Sequence, residues 1–342
     1  MKKNKNIFIG LSEVAGFGAM YAKGLKNLGY NVNFIISKPD LVNRDYPFDR
    51  CLDIQKYPKI FRLVILTFEL VKSIIKYDYF IFLYGKSFWP GNYDLPVLKI
   101  FRKKIIAIFL GCEIRQRETI LNLNRTYTPC QDCTNDCSFK IKKHIASMFE
   151  KYADKLFCQP EYDQLLENKD YEYAWVPIDI DEWKPVINIE NTTIKIIHAP
   201  SNSQKKGTTY ILDAIQKLKA EGYDINFFLA QNLSNHELKK HLEEADLIID
   251  QLMIGWYGKL STESMSLGKP VICWIDETLK NSVQELPIII ANPNNIYKKL
   301  KYILDNKETL LEIGIQSRDF VFKNHNYLHI CKHIIGLFEE MK

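Results

Sequence analysis

Between Asp250 and Glu263 the apolar run Leu247-Ile248-Ile249 gives way to a loop carrying Gly255 and Gly258, and then to a helical pattern expected to begin near Ser261 or Thr262. A helix start offers unpaired backbone N–H groups and the positive end of the macrodipole, which together suit a phosphate group. Glu263, expected in the first turn, is placed to accept hydrogen bonds from a ribose. A second turn, residues 199–207, presents the adjacent cations Lys205 and Lys206 after the strand Ile194-Lys195-Ile196-Ile197-His198. A third, residues 13–18, carries Gly16 and Gly18, which let the backbone approach a phosphate closely. The pattern Gly-x-Gly-x-x-Gly is absent because Tyr21 stands where the third glycine would be, and Ser37-Lys38 follows the second strand in place of an acid. Both facts argue against a dinucleotide dehydrogenase.

Two further constellations stand out. Glu113 and Arg115 follow the apolar run 105–110, so a carboxylate and a guanidinium fall at the C-terminal edge of a strand, where open α/β sheets bind ligands. They either handle an acceptor hydroxyl and an anionic group, or form a structural pair that caps the next helix. Cys130, Cys133 and Cys137 give C-x2-C-x3-C, a spacing that can wrap a tetrahedral structural zinc with Cys112 or His144 as fourth ligand; free thiols are the alternative. Basic residues gather at Arg102-Lys103-Lys104 and at Lys140, Lys142, Lys143, Lys151 and Lys155. The second set is read onto an amphipathic helix with Ile141, Ile145, Met148 and Phe149, either a solvated face or one that rests on anionic lipid.

The elements that must position these residues alternate. Short apolar strands at 7–9, 32–36, 79–83 and 105–110 are separated by helical patterns at 61–76 and 95–101, and a second series runs from 194 to 274. Continuous apolar strands between helices indicate parallel sheets covered on both faces. The stretch 175–185, with two prolines and three acids, reads as a linker, and 318–341 reads as one terminal helix. A length of 342 residues, 46% hydrophobic and 25% charged, describes a globular protein of two domains and excludes disordered, collagenous and disulfide-scaffold classes. The net charge of +5 is too small to point to nucleic acid, and none is expected as a partner. It is unevenly spread, however: residues 1–178 carry 27 Lys+Arg against 19 Asp+Glu, and the remainder 19 against 22. No apolar run approaches the roughly 20 residues that span a bilayer. The N-terminus lacks the length and cleavage site of a signal peptide, so a cytoplasmic location is expected, with the eight cysteines reduced, metal-bound or buried.

The loop and helix at 255–272 resemble the nucleotide-sugar motif of retaining GT-B glycosyltransferases, the broad family 4 (group 1) class. Its usual form is Glu-Gly-Phe-Gly, four residues, then Glu-Ala-Met-Ala-x-Gly-x-Pro-Val-Ile. Gly258, Glu263, Met265, Gly268, Pro270, Val271 and Ile272 match. The resemblance implies that Glu263 binds the ribose of a nucleotide donor and that backbone amides of Lys259, Leu260, Ser261 and Thr262 cradle its diphosphate. The family's first Glu, which contacts the transferred sugar, falls on Gly255. Lys206-Gly207 matches a Lys-Gly pair whose lysine neutralises the leaving diphosphate, while the accompanying Arg falls on Ser201 or Ser203, with Lys205 as its substitute. Residues 109–115 resemble the Gly-Cys-Asp-Ile-Arg turn of many bacterial members, and 178–185 resemble the family's linker.

What the resemblance implies is a GT-B fold: two Rossmann-like, doubly wound parallel-sheet domains facing a cleft. Residues 1–177 with a returning helix at 320–342 would form the acceptor domain, and 178–319 the donor domain. The implied activity moves a sugar from a nucleoside diphosphate sugar to a glycan or lipid-linked acceptor hydroxyl, with retention and without a catalytic metal, in surface polysaccharide biosynthesis. Lys206, Glu113 and Arg115 would be its catalytic residues. Peripheral contact with an anionic membrane at the inner face of the plasma membrane fits such an acceptor. A nucleotide-sugar 2-epimerase of the same fold and a non-catalytic sugar-nucleotide-binding partner are the rival readings.

Overall fold

The apolar runs form parallel strands in the computed structural model, which describes residues 5–38, 46–123, 126–128, 130, 137–167, 170–186 and 193–341. The chain divides into two units. The first comprises residues 1–120, 135–177 and 327–342; the second comprises 121–134 and 178–326.

In the first unit the order is β1 (Asn6–Leu11), α1 (Phe17–Asn27), β2 (Asn31–Ile36), β3 (Arg50–Cys51), α2 (Lys59–Lys76), β4 (Tyr79–Leu83), α3 (Leu95–Ile100) and β5 (Lys104–Ile108). Helix α4 (Arg117–Asn122) follows and runs across the division, and then come α5 (Phe139–Tyr152), β6 (Lys155–Cys158) and β7 (Tyr171–Tyr173). The second unit contains β8 (Ile194–His198), α6 (Ser203–Lys206), α7 (Thr208–Ala220), β9 (Ile225–Leu229), α8 (Asn235–Glu244) and β10 (Leu247–Ile249). It continues with α9 (Lys259–Ser266), β11 (Val271–Cys273), β12 (Ile288–Ile290), α10 (Ile296–Asp305) and α11 (Thr309–Asn324). Helix α12 (Tyr327–Glu340) belongs to the first unit again.

The first sheet has seven strands in the order β3-β2-β1-β4-β5-β6-β7, and the second has five in the order β12-β11-β10-β8-β9; every pairing is parallel. Each order reverses once, at β1/β4 and at β8/β10. Such a reversal leaves a crevice beyond the carboxyl ends of the two strands. Register sets what meets there: Ile249 of β10 lies opposite His198 of β8 and Ile272 of β11. The central strands β4 and β10 are apolar throughout, as strands covered by helices on both faces are. Ile7, Phe8 and Ile9 are wholly buried, as are Phe80 to Leu83, Ile196, Ile197 and Leu247 to Ile249. Phe8, Phe80, Phe82 and Phe88 form one aromatic cluster with ring centroids 5.0–6.5 Å apart.

Two expectations change. The terminal helix read at 318–341 is two helices, broken at His325 and Asn326. There Ile178 N donates to His325 O (2.8 Å), Ile178 bridges Asn326, and buried His325 meets the Tyr257 hydroxyl. The segment that returns to the first unit therefore begins at Tyr327, where the sequence suggested 320, and its Phe338 stacks on Tyr79 at 4.3 Å. Residues 121–134, expected with the first domain, group with the second unit, where Tyr127 meets Trp274 edge-on at 5.3 Å.

Candidate functional site

In the second unit the reversal at β8/β10 brings together two loops that the sequence keeps some 45 residues apart. Lys206 closes the short α6, which Asn202 caps by accepting from Lys205 N (2.9 Å). Its ammonium pairs with Asp250, the acid that follows β10, and Leu252 N donates to Lys206 O (3.0 Å). Asp250 is fully buried, and its second carboxylate oxygen accepts from Ser261 Oγ of α9 at 2.6 Å. Burial opposes ionisation of Asp250, but the Lys206 ammonium and the Ser261 hydroxyl outweigh it and hold its pKa below the ordinary value. His198, wholly buried at the end of β8, links the strands. Its Nδ1 donates to Ile249 O, and its Nε2 accepts from Thr208 Oγ1, both at 2.8 Å. Burial lowers its pKa to about 4, so the ring is neutral at pH 7.

Helix α9 begins at Lys259, earlier than the sequence suggested, because Gly258 adopts an extended conformation and serves as its N-cap. Gly258 itself brings no side chain to cap the first turn, formed by Lys259, Leu260 and Ser261. Thr262 N and Thr262 Oγ1 both bond to Gly258 O. Glu263 consequently falls in the second turn, where it lies 3.5 Å from Lys259; both side chains are about 15% exposed (15%/14%). Gln251 shapes the preceding loop. Its Oε1 accepts from the backbone N–H groups of Met253 and Ile254, and its Nε2 donates to the carbonyls of Trp256 and Trp274. Gly255 stands in this loop at φ +91°, and an added Cβ would lie 3.4 Å from the Trp274 ring. A glutamate there would be strained, so the loop differs in conformation from one that presents an acid at this position. Lys205 is half-buried beside this cluster. Asp250, Ser261 as a buried partner and Gln251 are the members of this cluster that sequence reasoning missed; the signal was an acid and an amide directly after a wholly apolar strand.

A cavity of about 680 Å³ lies at the other edge of this sheet, among Val186, Ile194, Asp246, Lys269, Leu310 and Arg318. Volume alone therefore does not mark the switch point.

In the first unit, the loop after β1 is already occupied. Glu13 accepts from Gly16 N (2.7 Å) and Ala19 N (2.9 Å), so this chain's own carboxylate satisfies amides that were expected to approach a phosphate. Gly18 serves close packing: a Cβ there would fall 2.4 Å from the Phe34 ring and 3.1 Å from Glu13 Oε2.

The edge of β4, β5 and β6 gathers a second cluster. Glu113 is 7% exposed; one carboxylate oxygen accepts from Leu110 N, and Oε2 has no hydrogen-bond partner among the described residues. Burial pushes its pKa up to about 7. Arg115 pairs with Glu161 (2.7 Å) and donates to the Tyr162 hydroxyl (2.7 Å) rather than to Glu113. Among the described residues Glu113 thus has no cation in hydrogen-bond contact, and the expected Glu113–Arg115 pair is not formed. Tyr84 and Tyr162 flank the carboxyl, and its charge and their burial both raise the phenol pKa values.

The cysteine cluster is distributed. Cys112 and Cys137 lie in the first unit and Cys130 in the second, while Cys133 is outside the described residues. Among the described residues no three His, Cys, Asp or Glu side chains are grouped to hold a metal ion. His144 Nε2 is bonded to Gly91 O (2.9 Å), Arg115 contacts Cys112, and Lys142 contacts Cys137. Helix α5 turns its apolar side inward: Ala146 and Phe149 are buried, Ile145 and Met148 half-buried. Its cations serve local partners, with Lys142 donating to Arg115 O (2.8 Å) and Lys143 3.5 Å from Glu167. Lys155, expected on this helix, opens β6 and pairs with Asp170. Ile141, also read onto this face, is 60% exposed.

No family model matches the chain, and no curated protein matches its sequence. Among solved structures it is similar to sucrose-phosphate synthase from Thermosynechococcus elongatus, with a TM-score of 0.69, 13% identity and 99% of each chain covered. It is also similar to Anabaena HepE in complex with UDP-glucose, with a TM-score of 0.59, 10% identity and 98% and 99% covered. A third is a putative UDP-N-acetylglucosamine 2-epimerase from Listeria monocytogenes, with a TM-score of 0.55, 12% identity and 98% and 95% covered. These likenesses extend over the whole chain, and with the two parallel sheets they establish that it has the GT-B fold.

Proposed function

We propose that this protein transfers a sugar from a nucleoside diphosphate sugar to an acceptor hydroxyl. The observation that carries the reading is the switch-point cluster of the second unit. There the glycine-led first turn of α9 and the Lys206 ammonium are joined through Asp250, which also accepts from Ser261 Oγ, with Glu263 on the next turn. Backbone amides of Lys259, Leu260 and Ser261 receive the diphosphate, with the helix dipole behind them. Glu263 binds the ribose hydroxyls. Lys206, held by Asp250, offsets the charge that develops on the diphosphate as its bond to the anomeric carbon breaks, with Lys205 alongside; this is the electrostatic task a divalent cation performs in other transferases. In the first unit Glu113 takes up the proton that the acceptor hydroxyl releases as the new glycosidic bond forms. A carboxyl with a pKa of about 7 suits that exchange near neutral pH. Arg115, neutralised by Glu161, positions the loop that carries Glu113. Retention at the anomeric carbon, a glycan or lipid-linked acceptor and a role in surface polysaccharide synthesis follow from the resemblance of the 255–272 motif.

The test is incubation with UDP-, GDP- and TDP-sugars, with and without a pooled glycan acceptor, in the presence of EDTA. Acceptor-dependent release of nucleoside diphosphate that survives EDTA supports the reading. An isomerised donor would replace it with the epimerase, and thermal stabilisation by a donor without turnover would replace it with a binding partner.

A further inference from the structure

The second sheet has its large cavity at the amino ends of its strands, opposite the crevice at the switch point. Ile194 opens β8, Asp246 directly precedes β10, and Lys269 and Pro270 directly precede β11; all four line this space of about 680 Å³. Leu267, Leu310, Leu311 and Ile315 join Ile194 and Pro270 to make its walls apolar. The volume lies within the roughly 300–1,000 Å³ of small-molecule sites, which combine apolar walls with a few polar groups.

One of those polar groups is out of place. Helix α9 gives way to Gly268 at φ +74°, and Lys269 N returns to Ser264 O at 3.0 Å. That closure puts residue 269 just after the left-handed glycine, where an apolar side chain ordinarily packs on the helix. A lysine stands there instead, and it is only 3% exposed. Among the described residues its ammonium has neither a hydrogen bond nor an ion pair. Asp246 and Glu243 act on it only through space, and Asp246 Oδ2 accepts from Lys195 N at 2.7 Å. Burial outweighs both acids and pulls the Lys269 pKa down to about 8.

The rest of the lining leaves that charge unanswered. Arg318, half-buried, bonds to the carbonyls of Ile180, Trp183 and Ser266 rather than to a carboxylate. Lys307, Glu308 and Asp319 are exposed, where water and salt screen them. The cavity thus holds one poorly solvated ammonium among apolar walls, an arrangement that is costly until an opposite charge meets it. A phosphate brings more oxygens than one ammonium can serve, and a neutral molecule leaves the ammonium unmet. A single carboxylate on an apolar body matches both features.

We infer that this cavity binds a small apolar molecule carrying one carboxylate, its charge on the Lys269 ammonium and its body among Leu310, Leu311 and Ile315. The site is independent of the sugar-nucleotide cluster, so either assignment stands if the other fails.

The test is calorimetric titration of octanoate, 1-octanol and octylammonium into the full chain at neutral pH. Octanoate should bind most tightly of the three. Lys269→Met keeps most of the stem and removes the charge. It should weaken octanoate at least about tenfold, as loss of a charge-assisted hydrogen bond requires, and leave 1-octanol unchanged. Ile315→Glu, at a position of the lining that is 56% exposed, should weaken octanoate and spare octylammonium. That second variant decides the matter if the methionine variant melts early. Absence of octanoate binding below millimolar concentration overturns the inference. So does octanoate binding that either variant leaves intact, or tighter binding of octylammonium, which would assign the cavity to Asp246.

Discussion

Replacing Glu113 by Gln should make the protein more stable at alkaline pH and leave it unchanged in acid. The wild-type carboxyl is buried, Oε2 lacks a partner, and its pKa stands at about 7 against the ordinary 4.5. Between those two values the folded chain holds a proton that the unfolded chain has lost. Stability therefore falls as pH rises through that window, and the full cost is present above pH 7. The interval corresponds to about 3 kcal/mol. Glutamine copies the shape and neutrality of the protonated acid without titrating. Urea unfolding of wild type and Glu113→Gln from pH 4.5 to 8.5 should give curves that coincide at the acid end. They should separate progressively toward about 3 kcal/mol in favour of Gln at the alkaline end. Transfer activity should move in the opposite sense, rising with pH in the wild type as Glu113 ionises and staying low and flat in the variant. A stability difference that does not change with pH would refute the burial argument. An active variant with an unaltered pH profile would remove Glu113 from proton transfer.

Three other substitutions probe the remaining geometry. Lys206→Met strands the buried Asp250 carboxylate and should cost about 3–5 kcal/mol; adding Asp250→Asn should recover most of that stability in thermal melts without recovering nucleotide affinity. Gly255→Glu restores the acid of the family motif but places it at φ +91° against Trp274. It should lower stability by about 1–2 kcal/mol in the same melts and raise no activity, the cost being that of a left-handed non-glycine residue. Glu13→Ala uncaps α1 and should cost about 1 kcal/mol by urea unfolding, with nucleotide binding unchanged because that helix start serves the fold.

What the sequence discloses here is local, and what it hides is pairing. The apolar runs at 7–9, 79–83 and 247–249 could be assigned to parallel strands because burial on both faces leaves no alternation. The helix after Gly258 followed from its glycine and the residues that match the motif. None of this reveals that Lys206 meets Asp250, 44 residues away, or that Arg115 turns to Glu161, 46 residues away, instead of to Glu113. Those partners are chosen by strand order, and the order itself depends on which strands reverse at β8/β10. The glutamate at 13 was visible, but the amides it caps were assigned to an outside phosphate; a carboxylate three residues before Gly16 fills the place first. The helices show the same limit. The amphipathic pattern on α5 left open a solvated face or one resting on lipid; Ala146 and Phe149 of that helix are buried, and Ile141 is 60% exposed. The helical pattern at 61–76 does not say which side is covered, and on α2 Leu66 and Leu70 are buried while Val64 and Phe68 are exposed. Periodicity tells that a face is apolar, and only the tertiary neighbours tell whether it is covered.

The central claim is that the first turns of α9 grip a nucleoside diphosphate. Calorimetric titration of UDP, GDP and TDP into the wild type and into Glu263→Gln tests it most directly. The account predicts that one of these nucleotides binds in the micromolar range and that the variant weakens it about tenfold or more, as loss of a charged hydrogen-bond acceptor requires. No binding of any of them below millimolar concentration, or equal binding by the variant, would contradict it.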